Sequence, residues 1–190
     1  MLPDCLSADS EQRCRRLLAE ATARLRCRPA AAAVLVPLCL VSGVPALLYT
    51  LRSSRLSGKH RGDVSFPGGK CDPTDQDVIE TALRETREEL GLVVPEEHVW
   101  GTLRPVHDPV DEVFVLPLTH LLQAENQGYT HFCKEGRFSY TLPVFLHGPH
   151  RVWGLTAIIT EYTLQLLAPD AYRPRLASSQ QPRDTGSREK

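Results

Sequence analysis

Nothing in this chain reads as a membrane span: no run of 18 apolar residues occurs anywhere along it. Net charge is nearly absent. Its 22 Lys and Arg against 23 Asp and Glu leave −1, so no global field draws it to nucleic acid or to an anionic membrane surface. Aromatic residues are few. Two Trp, five Tyr and five Phe supply no stacking platform for single strands. The six cysteines, Cys5, Cys14, Cys27, Cys39, Cys71 and Cys133, form no C-x-x-C pair, and a chain of 190 residues needs no staples to hold a core. They read as reduced thiols of an intracellular protein, Cys71 being a spacer with nothing nearby to activate it. Internal repeats are missing too. What remains is one soluble domain with a substantial core.

The informative stretch is Val64–Leu92, VSFPGGKCDPTDQDVIETALRETREELGL. At 3.6 residues per turn, Ile79, Ala82, Leu83, Thr86 and Leu90 share one side of a helix, a core stripe. Glu85, Glu88 and Glu89 gather on another side, within an arc of roughly 100°. Carboxylates packed so closely repel one another unless a cation sits between them. Hard oxygen donors without His or Cys favour Mg²⁺ or Mn²⁺ over zinc. Phe66-Pro67-Gly68-Gly69, ahead of the helix, lets backbone approach a ligand closely. A solvated amphipathic surface is the competing reading, since Arg84 and Glu88 make an ordinary i,i+4 pair.

Taken in order, these motifs resemble the Nudix hydrolase signature, whose second half is matched by Arg84-Glu85-Thr86-Arg87-Glu88-Glu89-Leu90-Gly91-Leu92, with Thr86 where an aliphatic residue is usual. Asp75 stands where the first glutamate belongs, and one extra residue precedes Arg84. That departure, with Asp72 and Thr81-Ala82-Leu83-Arg84-Glu85, is similar to the coenzyme A diphosphatase branch. So is the upstream set Leu48–Ser53, Leu56, His60, Gly62 and Val64. The resemblance implies an α/β fold, an α/β/α sandwich with a mixed sheet, over 29–170. It also implies hydrolysis of the pyrophosphate of coenzyme A and its acyl thioesters, small-molecule substrates, with Mg²⁺ or Mn²⁺. Glu85 and Glu89 are expected as metal ligands, Glu88 as a further ligand or the catalytic base, and Arg84 as the residue that orients a carboxylate. Arg52, Arg55, Lys59 and His60 are expected to collect substrate phosphates, and Gly68 and Gly69 to offer main-chain groups. Another nucleoside diphosphate derivative as substrate, or a silent binding protein, are the alternatives.

Elsewhere, residues 1–28 form a basic amphipathic helix, either the first helix of the domain or a mitochondrial presequence. Arginine favours the second, Asp4, Asp9, Glu11 and Glu20 the first; the resemblance tilts localisation towards the mitochondrion. Ala31–Val41 and Ala46–Arg52 read as a strand hairpin, Val99–Val106 as a strand, Val115–Leu122 as a short helix, Phe138–Phe145 as an edge strand and Leu155–Leu167 as a helix. His147-Gly148-Pro149-His150 reads as a turn rather than a metal site. Around 107–112 the chain is shorter than the family pattern. The shortening is expected to remove one strand, leaving an unpaired edge and threatening activity. Residues 171–190 read as a disordered tail, which does not end in the peroxisomal Ser-Lys-Leu address. Oligomeric state is not legible.

Overall fold

The computed structural model describes residues 4–26, 30–53, 62–102, 110–134 and 138–174. Four helices appear there: α1 (Ala8–Arg26), α2 (Val78–Leu90), α3 (Leu118–Leu122) and α4 (Gly154–Leu167). The strands are β1 (Ala32–Val34), β2 (Leu38–Val41), β3 (Val44–Arg52), β4 (Val64–Ser65), β5 (Gly68–Lys70), β6 (Val110–Pro117), β7 (Gln127–Lys134) and β8 (Phe138–Phe145). The combination is the α/β class expected from the sequence.

Strand β3 organises the sheet. Its Val44–Leu47 stretch pairs with β2, Thr50–Leu51 with β4, and Ala46–Arg52 with β6 on its other edge. Tyr49, at the centre, is fully buried and stacks between Phe66 and Phe114 at 4.8 and 5.5 Å. Its hydroxyl meets Thr160 Oγ1 at 3.0 Å, so α4 is tied to the sheet by the one polar atom this ring brings inside. Thr156 Oγ1 adds a second tie by donating to Val64 O. Strands β7 and β8 form a separate hairpin, Gln127 opposite Phe145 through Lys134 opposite Phe138.

Several sequence expectations change. The single strand over Ala31–Val41 is two strands with different partners, because Pro37 interrupts the run: β1 pairs with β5 and β2 with β3. The helix expected over Val115–Leu122 begins only at Leu118. The residues before it continue β6, whose apolar alternation puts Phe114 and Leu116 in the core. Val99–Thr102 forms no strand, and the rest of that expected strand lies outside the described residues. Tyr172, assigned to a disordered tail, is buried and donates from its hydroxyl to Glu161 Oε1 at 2.9 Å. The ladders among the described residues are all antiparallel, so a parallel member of a mixed sheet is not one of them. Within the same residues β6 pairs on one edge alone, and Val113 is half exposed.

Helix α1 packs onto the domain. Cys14 and Leu18 are buried, and Arg13 donates to Leu166 O and Leu167 O at the C-terminal end of α4, where carbonyls lack helical partners. Arg15 reaches Val99 O, and Arg26 bonds Asp77 and Glu96. Cys5, Cys14, Cys39 and Cys71 are in no disulfide. The His147–His150 segment is a turn, with His147 at φ 62° and His150 Nε2 3.1 Å from Glu112.

Candidate functional site

Helix α2 is placed by its ends. Asp77 Oδ1 accepts from the Ile79 and Glu80 amides, satisfying donors that have no helical partner, and Gly91 terminates the helix in the left-handed region at φ 69°. Between these caps Ile79, Thr81, Ala82 and Thr86 face the interior. Thr86 tolerates full burial because its hydroxyl donates to Ala82 O at 2.6 Å. This burial fixes the helix rotation, and the rotation turns Glu85 and Glu89 towards β5.

There the two glycines meet the carboxylates. Gly68 and Gly69 lie in a ladder with β1, Ala33 opposite Gly69 and Val34 opposite Gly68, rather than in a free loop. The Gly68 N–H donates to Glu89 Oε2 at 3.0 Å. A Cβ built on Gly69 would fall 2.0–2.2 Å from the carboxylate atoms of Glu85, so that carboxylate rests against bare main chain. Glu88, one position earlier than Glu89, is 59% exposed and faces solvent beside Arg84.

Arg84 ties the cluster together. Its Nε and Nη2 donate to the two oxygens of Asp75, both at 2.9 Å, the bidentate geometry a guanidinium is shaped for. Nη2 also donates to Lys70 O, and Nη1 to Glu85 Oε1 and Glu88 Oε2 at 3.2 Å. Asp75, only 4% exposed, also accepts from Asp72 N and from Thr81 Oγ1. Arg84 and these donors hold its carboxyl far below the usual carboxylate range. Asp75 is the residue the sequence reading left out of the site. The signal was present, an acid standing at the signature's first-glutamate position, but its binding to Arg84 across nine residues is a tertiary fact.

Once Arg84 and Asp75 neutralise each other, Glu85, Glu88 and Glu89 keep an excess of negative charge. Burial pushes the Glu89 carboxyl up to about 7; the charges of Glu85 and Glu88 add to this, and the Gly68 N–H and Arg52 oppose it. Arg52, at the end of β3 and buried, is therefore close enough to act on the cluster. Arg55, Lys59 and His60 lie outside the described residues. No three His, Cys, Asp or Glu side chains among the described residues converge into a closed cage. The donor set nevertheless fits a hard divalent cation: three carboxylates, surplus charge and a glutamate whose ionised form is only partly compensated.

The sign of the pH effect follows. A glutamate raised from 4.5 to about 7 contributes stability that is complete below pH 4.5 and is lost as pH climbs through 7. Wild-type melting temperature, relative to Glu89→Gln, should therefore fall between pH 5 and pH 8 in the absence of metal. Mn²⁺ should restore most of the difference at pH 8. A difference that does not vary with pH would remove the argument for a partly compensated Glu89.

A helix whose acids face a glycine ladder, with a guanidinium holding the array, is the arrangement of an enzyme that handles a polyanion through cations. The chain belongs to the Nudix family: the NUDIX domain model matches residues 29–140. It is 72% identical to the human "Mitochondrial coenzyme A diphosphatase NUDT8", over 93% of this chain and 86% of that protein, and 68% identical to the mouse protein of the same name, over 96% and 100%. Similarity extends to "Nudix hydrolase 3" of Caenorhabditis elegans, 34% identical over 75% of each. The human alignment spans 203 positions, more than the 190 residues of this chain, so that relative has residues where this chain has none.

Proposed function

We propose that this chain is a metal-dependent Nudix diphosphatase that cleaves the pyrophosphate of coenzyme A and acyl-CoA thioesters, giving 3′,5′-ADP and 4′-phosphopantetheine or its acyl derivative. The observation that carries the reading is the juxtaposition of Glu85 and Glu89 with the main chain of Gly69 and Gly68, in a chain so similar to two proteins named for that activity.

Glu85 and Glu89 are the principal ligands for Mg²⁺ or Mn²⁺. The metal supplies charge neutralisation of the pyrophosphate and lowers the pKa of a bound water. Glu88, exposed and on the open side of the cluster, is a further ligand or takes the proton of the attacking water. Water adds to one phosphorus, and the bridging oxygen leaves with the other phosphate. Arg84 does not touch the reaction in this scheme. It holds Asp75, Glu85 and the Lys70 carbonyl in fixed relation, so the carboxylates stay where β5 receives them. Arg52 supplies positive charge beside Glu89, and Arg55, Lys59 and His60 are assigned to the substrate's phosphates. The names of the relatives support placement in the mitochondrion, whereas Arg13, Arg15 and Arg26 of α1 are engaged in packing that helix on the domain.

The test is incubation of the purified chain with coenzyme A and Mn²⁺ or Mg²⁺, separating products by chromatography. Wild type should release 3′,5′-ADP, and Glu88→Gln should do so about a hundredfold more slowly, the scale of lost acid–base help, with an unchanged melting curve. Unaltered turnover in Glu88→Gln would sink the role given to that carboxylate. The shortened segment favours one second reading, a silent binding protein. Mn²⁺ binding by a cooperatively melting chain that hydrolyses neither coenzyme A nor ADP-ribose would establish it. Cleavage of ADP-ribose in preference to coenzyme A would instead move the substrate class.

A further inference from the structure

A cavity of about 440 Å³ lies beneath α1, bounded by the other face of α2, the β1–β2 stretch, the segment up to Thr102, and α4. Its lining is apolar almost throughout, and none of the described residues that line it is Lys, Arg, Asp or Glu. Its shape follows from α1. Cys14, Leu18 and Leu25 all face it, and at 1.5 Å per residue the first and last of these stand about 16 Å apart along the helix. The cavity therefore runs along about three turns of α1.

Two polar side chains along the cavity have partners, and one buried hydroxyl has none. Thr163 Oγ1 donates to Ile159 O, and Cys14 Sγ lies 3.8 Å from Leu166 O. Thr102 is 8% exposed, and among the described residues its Oγ1 has no partner. Its amide is already engaged by Thr22 Oγ1, so the backbone there is fixed. A buried hydroxyl without a partner is costly, and native structures rarely carry one without a reason. The cavity is also separate from the carboxylate site. Ala33 and Val34 line it, and the same two residues close against Gly68 so tightly that no Cβ fits between.

We propose that this cavity is a binding site for an aliphatic molecule bearing one uncharged hydrogen-bonding end group, with Thr102 Oγ1 as its polar contact. The apolar walls select the aliphatic part. No Lys or Arg is among its described lining residues and its one imidazole, His98, is exposed, so a carboxylate, sulfate or phosphate buried beside Thr102 would lack compensation. The hydroxyl of Thr102, able both to donate and to accept, suits an ester, amide or alcohol.

The probe is 1-decanol, followed in the full chain carrying Trp153→Phe, which leaves Trp100, itself lining the cavity, as the only tryptophan. Saturable change in Trp100 emission, at one decanol per chain, and a rise in melting temperature are expected. Thr102→Val should melt higher than its parent without ligand, since the orphan hydroxyl is gone, yet bind 1-decanol about five- to tenfold more weakly. Leu166→Trp, which fills the cavity, should abolish the melting-temperature rise. Decyl sulfate should bind at least tenfold more weakly than 1-decanol. No saturable response in the parent, equal affinity in Thr102→Val, or preference for decyl sulfate would each overturn the proposal. Because the readout is binding, it stands or falls independently of hydrolysis.

Discussion

Gly69→Ala is expected to lower turnover of coenzyme A by about a hundredfold or more while the protein still folds. The added methyl would sit 2.0–2.2 Å from Cδ, Oε1 and Oε2 of Glu85. Ordinary carbon contacts need about 3.5–4.0 Å, so the carboxylate must retreat by more than an ångström. It can do so cheaply, because it is the free end of a flexible side chain. That freedom spares the fold and damages the site. Displacements of about 1 Å at a reacting centre cost roughly a hundredfold. Arg84 Nη1, 3.2 Å from Glu85 Oε1, would be drawn along or lose its contact. The measurements are turnover and Mn²⁺ affinity beside a thermal melt. Both site readouts should fall while the melting temperature moves by only a few degrees. Full turnover in Gly69→Ala would show that Glu85 need not stay against β5, and its role as a ligand would go with it.

Legibility from sequence tracked the range of the interactions involved. Helix α2 was readable because its periodicity and its acids are local facts, set by 3.6 residues per turn and needing no knowledge of what lies opposite. The glycines were readable as a place of close approach but not as a strand. Glycine is depleted in strands, and nothing in FPGG announces that β1, more than 30 residues upstream by the numbering, will pair with it. Pro37, which divides the apolar run into β1 and β2, was visible; that the two halves join different partners was not. Asp75 was read as a departure from a pattern, whereas its meaning lies in the guanidinium it binds. Strand β6 was hidden behind Pro117, which looks like a helix start and is one, though seven residues of strand precede it. Tyr172 fell in a stretch whose composition is polar, yet its ring is held by α4. Composition averages over neighbours, and burial is decided residue by residue.

Gly68→Ala should fail in the opposite way, by loss of stability. Gly68 has φ 151°, a conformation side chains rarely adopt, and a Cβ there would lie 2.3 Å from Ala33 O and 2.5 Å from Val34 Cα. Neither atom is a flexible end. Both are backbone of the paired strand, itself fixed by the Leu35 N–H donating to Pro67 O at 2.8 Å and the Cys71 N–H to Ala31 O at 3.1 Å. Relief therefore requires β1 and β5 to part, and α2 rests on both. Strain at a glycine-only conformation costs about 1–3 kcal/mol and overpacking a similar amount, so about 3 kcal/mol or more should be lost. In a domain of this size that lowers the melting temperature by roughly 10 °C, and the urea midpoint should fall with it. Glu89 would suffer as a consequence, since its bond from the Gly68 amide depends on the same ladder. Measured together, the two alanine variants separate the functions of adjacent glycines: one leaves a stable protein with a displaced carboxylate, the other loosens the strand pair that positions all of them. A Gly68→Ala chain that melted like wild type would mean that β1 and β5 are not in the register that brings Gly68 against Val34.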